Sequence, residues 1–361
     1  MRESSSVDVI DKTRPVVAYL GWHGRGNLGD DAIYDAVRTQ LPSATFVDLP
    51  RFAHERIRAA ATGLNQSLRR STQVLGGGTL VGRRDWRRWV NRGLALTEEN
   101  GSFAIGVGVE DPVFIGRRSG SHKDELKRWA PVLSQFRSVS VRGPRSAELL
   151  ADLGLTVEVS GDPALVLPSP SVAPEEGLIG VNLGFGDDLW GHDPQQVVDE
   201  LSRAVQRLSA HGYRFVGILM NSSDRRWTEA VLTGITADIV APSDAAAAAR
   251  ELARCSVAVV TRLHAGILAA LSGTPVLSLE YQPKCRDFAL SIEDERSLLR
   301  TDNLRSGAIV DAVQDALANA EAIRVKKQAA VERLRHRLRS EYNSVRTQLG
   351  IGDTRLGVGD R

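Results

Sequence analysis

The chain has 361 residues, 42% hydrophobic and 25% charged, a balance that fits a globular protein and excludes a disordered or fibrous one. Lys plus Arg number 46 and Asp plus Glu 44, so the formal net charge of +2 lacks the basic excess of a dedicated nucleic-acid binder. Two cysteines, Cys255 and Cys285, exclude a disulfide framework and a four-cysteine zinc site, and they fit a reducing cytoplasm.

In chain order, residues 1–13 carry acids and no apolar h-region, so they read as a tail rather than a secretory signal. Val16 to Leu20 is a short apolar run closed by glycine, the mark of a buried strand. Asp30 to Leu41 places Ile33, Val37 and Leu41 on one helical face, with Asp30 as the expected N-cap. Further strands are expected at Phe46–Leu49, Gln73–Leu75, Phe103–Val107 and Ser138–Val141, with helices at Asp124–Phe136 and Pro144–Leu153. Four prolines within 161–176 mark a linker or a domain crossing. The alternation then resumes, with strands at Leu178–Leu183, Arg214–Leu219, Ile239–Val240, Val257–Thr261 and Val276–Leu279. Helices are expected at Pro194–His211, Ala245–Ala253 and Ala265–Ser272. Strands alternating with helices imply parallel sheets covered on both faces. The expected architecture is α/β, with two Rossmann-like parallel-sheet domains at 14–160 and 177–315. Residues 316–361 add a long helix and a tail. That helix carries a stripe of Leu334, Leu338, Tyr342, Val345 and Leu349, and a basic face of Arg333, Arg335, Arg337 and Arg339. The basic face reads as solvated, or as a peripheral contact with membrane or anionic glycan. No apolar run of roughly 18 residues is present to form a transmembrane helix.

Four constellations carry candidate chemistry. Gly24-x-Gly26-x-x-Gly29 sits between a strand and a helix, with Asp48 further on, which matches a dinucleotide fingerprint. Asp30 and Asp31 follow at once and would meet a pyrophosphate with negative charge. Gly76, Gly77 and Gly78 follow a buried strand, where backbone approaches a ligand or simply turns tightly. Arg142 stands at a strand exit before Pro144, aimed into the crevice or out to solvent. Arg262 and His264 end another buried strand. Arg offers a planar fork for carboxylate or phosphate, and His exchanges a proton near neutral pH. Two apart on an extended segment, they would point the same way and flank one ligand; the alternative is a satisfied structural histidine. The seven histidines show no metal-binding spacing.

Taken in order, these pieces resemble the polysaccharide pyruvyl transferase family. The carrying segments are GWHGRGNLGDDA at Gly21 to Ala32, the glycines at Gly76 to Gly78, Gly106-Val107-Gly108, SVRGPRSAELL at Ser140 to Leu150, Gly154 to Ala164, Arg262 to Ala265, and Gly273 to Lys284. The resemblance implies a two-domain fold like the GT-B glycosyltransferases, with the active site between the domains. It implies phosphoenolpyruvate as donor substrate and a sugar or glycolipid acceptor, with no cofactor and no metal. The expected product is a pyruvate ketal on a cell-surface polysaccharide or glycolipid precursor. By the same resemblance Arg142, Arg262, Leu263, His264 and Lys284 bind the donor, with Arg262 and His264 catalytic. Asn27, Asp30, Asp31 and Gly76 to Gly78 form acceptor or cleft loops. The residue types suit this chemistry: two arginines can clamp a carboxylate and a phosphate, and His264 can serve as acid or base. Two departures stand out, Asp31 where the family usually has Glu, and the acid Glu110 after the Gly-Val-Gly strand end. The rival expectation is a GT-B glycosyltransferase using a nucleotide sugar, and a third is a non-catalytic binding module.

Overall fold

The structure, a computed structural model, describes residues 14–97, 100–114, 123–186 and 188–351. The expected tails at 1–13 and 352–361 lie outside these. The first half of the chain forms a parallel sheet from β1 (Val16–Leu20), β2 (Thr45–Asp48), β3 (Thr72–Leu75), β4 (Gly78–Val81), β5 (Ser102–Val109), β6 (Ser138–Val141) and β7 (Glu158–Val159). Its order is β2-β1-β3-β5-β6-β7, with β4 pairing β5. The second half forms another from β8 (Glu175–Asn182), β9 (Arg214–Ile218), β10 (Ala237–Val240), β11 (Cys255–Val260), β12 (Val276–Glu280) and β13 (Leu298–Arg300). Its order, β10-β9-β8-β11-β12-β13, is that of a doubly wound nucleotide-binding sheet. All pairings in both sheets are parallel, and the central strands are buried on both faces.

The glycines at 76–78 do something the sequence pattern conceals. They break one strand line into β3 and β4, which pair in turn with successive parts of β5. A Cβ at Gly76 would lie 2.2 Å from the Tyr19 hydroxyl, and one at Gly77 would lie 2.9 Å from Pro163. Both glycines are therefore packing positions where a side chain would not fit. The expected helix at 124–136 is two short ones, Lys123–Lys127 and Ala130–Leu133, because Pro131 has no N–H to continue the ladder. The arginine-rich segment Arg84–Leu96 is a helix that the expectations omit. So are Ala53–Ala61, Leu64–Arg69, Arg225–Leu232 and Pro283–Ser291.

The proline-rich crossing at 161–176 begins as buried structure rather than as a loose linker. Pro163–Val166 is a 3-10 helix whose Ala164 and Leu165 are fully buried. It packs against helices Leu28–Gln40, Leu263–Ala270 and Ala320–Gln348. One hydrophobic cluster accordingly runs through both halves, from Tyr19 and Ile33 through Leu165 to Ala265, Leu334 and Tyr342. Hydrogen bonds cross directly as well: Leu28 N donates to Met220 O at 3.0 Å, and the Asn221 side-chain Nδ2 donates to Gly26 O at 2.9 Å.

The tail pattern resolves into helices Ser306–Ala318 and Ala320–Gln348, parted at Asn319. The apolar stripe is buried through Val345. The expected basic face is not one face. Arg335 is buried, and it donates to Leu165 O at 2.5 Å and to Leu167 O and Ser169 Oγ at 2.9 Å. Arg333 remains exposed and pairs with Glu293. Among the described residues no helix is long and apolar enough to cross a membrane.

These contacts separate two arginines that look alike in sequence. Arg335→Ala leaves buried carbonyls without a donor and is expected to cost about 3 kcal/mol in urea unfolding, whereas Arg333→Ala is expected to cost under about 1 kcal/mol.

Candidate active site

The carboxyl ends of both sheets face each other across one cleft of about 1100 Å³. This is where open α/β sheets present their loops to ligands. From the first half it is lined by Trp22, Asn27 and Asp30 after β1, by Gly78–Leu80, by Val109–Asp111 after β5, and by Arg142 after β6. From the second half come Gly186 and Asp188 after β8, Met220 after β9, Arg262–His264 after β11, and Tyr281–Lys284 after β12. Of the expected site residues, Asn27, Asp30, Gly78, Arg142, Arg262, Leu263, His264 and Lys284 meet there. Gly76, Gly77 and Asp31 do not line it. Asp31 Oδ1 instead accepts from Gly24 N at 2.7 Å and braces the glycine loop.

Arg142 is the deepest cation, 1% exposed. Its Nη2 donates to Thr79 Oγ1 at 3.2 Å. Nη1 lies 3.9 Å from Asp162 Oδ2, and Nε lies 3.9 Å from Asp287 Oδ2. Those separations exceed hydrogen-bond distance, and neither Nε nor Nη1 has a partner among the described residues. Gly108 leaves room for the guanidinium, since a Cβ there would lie 2.5 Å from Nη2. Asp162 caps the 3-10 helix by accepting from Ala164 N with Oδ1 at 3.0 Å. Its other oxygen is free and faces both Arg142 and His264. Asp287, from the second half, accepts from Ser146 N at 3.1 Å and Ser146 Oγ at 2.6 Å, and so caps helix Pro144–Ala151 of the first half.

Arg262 and His264 share the cleft, but not by strand alternation. Arg262 is the extended N-cap of helix Leu263–Ala270, and His264 already lies in its first turn. Asp224 Oδ1 holds Arg262 Nε at 3.0 Å and Nη2 at 2.6 Å, which aims the fork. The His264 ring rests on Gly29, where a Cβ would lie 2.3 Å from Nδ1. The imidazole therefore covers the helix N-terminus that the dinucleotide pattern would have needed for pyrophosphate. His264 Nε2 is buried without a hydrogen-bond partner, 3.7 Å from Asp162 Oδ2. Burial pushes its pKa down to about 4. Arg142 and Lys284 push the same way, against Asp162. The resting imidazole is neutral at pH 7.

The N-cap of helix Leu28–Gln40 is Asn27, not Asp30: Asn27 Oδ1 accepts from Gly29 N at 3.1 Å. Asn27 Nδ2 donates to Asp30 Oδ2. Burial raises the Asp30 carboxyl to about 7, with Lys284 opposing and Asp31 and Asp162 adding. Lys284 Nζ sits 4.8 Å from the Tyr281 ring centroid. Glu110 pairs with Arg83 at 2.6 Å on the cleft wall. Trp22, Trp86 and Trp89 form the outer wall of the first half, whereas Trp190 packs on Phe114 outside it. Asp162, Asp224 and Asp287 hold the site's cations although no local sequence pattern marks them for that role. Asp162 before Pro163 is a capping signal, but its meeting with Arg142 is long-range, as are the contacts of the other two.

A family model for polysaccharide pyruvyl transferases matches residues 27–283. No curated protein sequence matches the chain. Among solved structures, a putative UDP-N-acetylglucosamine 2-epimerase from Listeria monocytogenes superposes with a TM-score of 0.60 at 12% identity, over 94% of this chain and 97% of that one. The UDP-GlcNAc 2-epimerase from Neisseria meningitidis gives 0.58 at 10% identity, over 92% and 100%. These likenesses show a GT-B-like fold and nothing finer. The matched span runs from the N-cap of the first-half helix to the first residue of the helix that carries Lys284. It encloses Asn27, Asp30, Arg142, Asp162, Arg262 and His264, and the chain belongs to the polysaccharide pyruvyl transferase family.

Proposed function

We propose that the cleft transfers a pyruvyl group from phosphoenolpyruvate to two hydroxyls of one sugar in a polysaccharide or glycolipid precursor, releasing phosphate. The observation that carries this reading is the buried Arg142. It holds two nitrogens, Nε and Nη1, without hydrogen-bond partners at the floor of a cleft that also presents Arg262, Lys284 and a neutral His264. A buried guanidinium with unmade hydrogen bonds is expensive, and a small dense anion relieves that expense. Phosphoenolpyruvate brings a carboxylate and a phosphate close together, which suits cations converging from two sheets.

The chemistry needs a proton delivered to the enol methylene and protons removed from the attacking hydroxyls. The developing cationic carbon and the leaving phosphate are both served by fixed charges, with arginine neutralising the phosphate. His264 is neutral in the resting cleft, so its unprotonated ring nitrogen can take up a proton. Trp22, Trp86 and Trp89 give the outer cleft apolar faces of the kind that stack on a sugar ring. Phosphate departure at Arg142 and proton removal at His264 would then lie deep, with the acceptor entering from the outer wall. A cytoplasmic location goes with this reading, since phosphoenolpyruvate is a cytoplasmic metabolite.

Calorimetric titration tests the donor. The wild-type chain is expected to bind phosphoenolpyruvate saturably, with Arg142→Ala and Arg262→Ala each weakening it by roughly 10- to 100-fold. Saturable binding of a UDP-sugar with no response to phosphoenolpyruvate would transfer the cleft to the nucleotide-sugar reading.

The depressed His264 pKa has a consequence for stability. The unfolded chain binds the His264 proton more tightly than the folded one between about pH 4 and 6.5, so this group's contribution is lost as pH falls through that window. His264→Gln removes the penalty. Relative to wild type it is expected to gain about 2 kcal/mol in urea unfolding on going from pH 7.5 to pH 5.

A further inference from the structure

The proposed reaction moves more than one proton, and the cleft holds a second group suited to carry them. We infer that Asp30 is the proton donor to the enol methylene and the acceptor of the last hydroxyl proton, working opposite His264. The inference rests on the pyruvyl-transfer reading and goes beyond it by assigning both halves of the proton traffic.

Asp30 lines the cleft in the first turn of helix Leu28–Gln40, next to Gly29, which supports the His264 ring. Its Oδ2 accepts from Asn27 Nδ2, which fixes the carboxyl's orientation. Its Oδ1 faces Gly78, where a Cβ would lie 3.8 Å away. No hydrogen-bond donor to Oδ1 occurs among the described residues, so Oδ1 is the oxygen open to a ligand. The charged groups acting on it come from each surrounding element: Asp31 on its own helix, Asp162 on the 3-10 helix, Arg262 at the second-half helix N-terminus, and Lys284 beyond β12. Burial outweighs the two cations and holds the carboxyl partly protonated near neutral pH. The two proton carriers are thus offset in opposite senses, the carboxyl toward its acid and the imidazole toward its base.

The proton count closes on these two groups. The Asp30 carboxyl gives its proton to the methylene carbon, and the C=C electron pair forms the new C–H bond, leaving a cationic C2. The first sugar hydroxyl attacks C2 and passes its proton to the unprotonated ring nitrogen of His264. The C2–O bond to phosphate breaks, and the departing phosphate takes the proton from His264. The second hydroxyl attacks C2 and returns its proton to the Asp30 carboxylate. One phosphoenolpyruvate trianion and one diol give one ketal carboxylate and one hydrogen phosphate, and both side chains end as they began.

The test needs no acceptor. Phosphoenolpyruvate is titrated at pH 8 in buffers of different ionisation enthalpy, which counts the protons taken up on binding. A trianion beside Asp30 favours its protonated form. Wild type is expected to take up roughly half a proton or more per site, and Asp30→Asn to lose most of that uptake while its affinity stays within about threefold at pH 6.5. Asp30→Glu keeps a carboxyl and is expected to keep the uptake. An uptake in Asp30→Asn equal to wild type overturns the inference. So does a loss of affinity beyond about tenfold in both variants at unchanged melting temperature, because the carboxyl is then a binding group and not a proton carrier. Carbon-13 aspartate NMR on the intact wild-type chain reads the same carboxyl without a variant. The expected result is an aspartate that titrates near neutrality and moves upward when phosphoenolpyruvate is added; its absence overturns the assignment. Failure of the wild type to bind phosphoenolpyruvate at all is seen before any variant is made, and it overturns the donor reading itself.

Discussion

The structure turns on a guanidinium that neither half of the chain buries alone. Arg142 leaves the end of β6 in the first sheet. Asp162 reaches it from the crossing segment, and Asp287 from a helix of the second half. Removing one partner from a buried charge of this kind costs about 3–5 kcal/mol, far more than an exposed pair is worth. The two carboxylates neutralise Arg142 at 3.9 Å without forming the hydrogen bonds that would satisfy it. Each has a bond elsewhere, Asp162 to its own helix and Asp287 to Ser146. The cation is therefore held in place by charge while its donors stay available, the arrangement expected of a ligand-binding group rather than a structural one.

That arrangement constrains the backbone around it. Gly106 takes a φ of +61° and comes so close to the crossing segment that a Cβ would lie 2.3 Å from Gly161 O. Gly161, at φ +94°, in turn lies against Leu334 and Leu165. The C-terminal helix closes the back of the same region: Glu341 accepts from Ser140 Oγ and Ser160 Oγ, and Tyr342 is fully buried. The long helix is thus a brace behind the site and not an appendage. With a core continuous through both halves, the cations are fixed before any ligand arrives, and preorganised charge spends no free energy on reorganisation during reaction.

Much of this was legible in sequence, and the limits have physical causes. Strand and helix alternation is a local hydrophobic pattern, so the two sheets and most central strands could be read directly. Arg142, Arg262, His264, Lys284, Asn27 and Asp30 were legible as candidates because each follows a strand end. Errors arose where local signals had a second meaning. Gly76 and Gly77 look like a ligand loop, but they make room for Tyr19 and Pro163. Asp30 looks like an N-cap, but Asn27 fills that position. Arg335 looks solvated among neighbouring arginines, but it binds buried carbonyls of the crossing segment. Asp224 and Asp287 were invisible because their partners lie 38 and 141 residues away in sequence.

The opposed offsets of Asp30 and His264 also explain how the chain tolerates such a site. Asp30 binds its proton more tightly in the folded chain, with a pKa of about 7 against an ordinary 3.8. Its ionisation therefore weakens the fold as pH rises from about 4 through 7. His264 binds its proton less tightly, about 4 against 6.5, so its contribution weakens the fold as pH falls through that range. The two terms run against each other over nearly the same window, and in the wild-type chain their sum is flatter than either. Burial is the common cause, because one dry cleft floor disfavours the charged form of both side chains. A partly protonated carboxyl and a neutral imidazole add little charge to the ground that Arg142, Arg262 and Lys284 share with Asp162, Asp224 and Asp287. One desolvated environment thus offsets a carboxyl and an imidazole in opposite senses at the same pH.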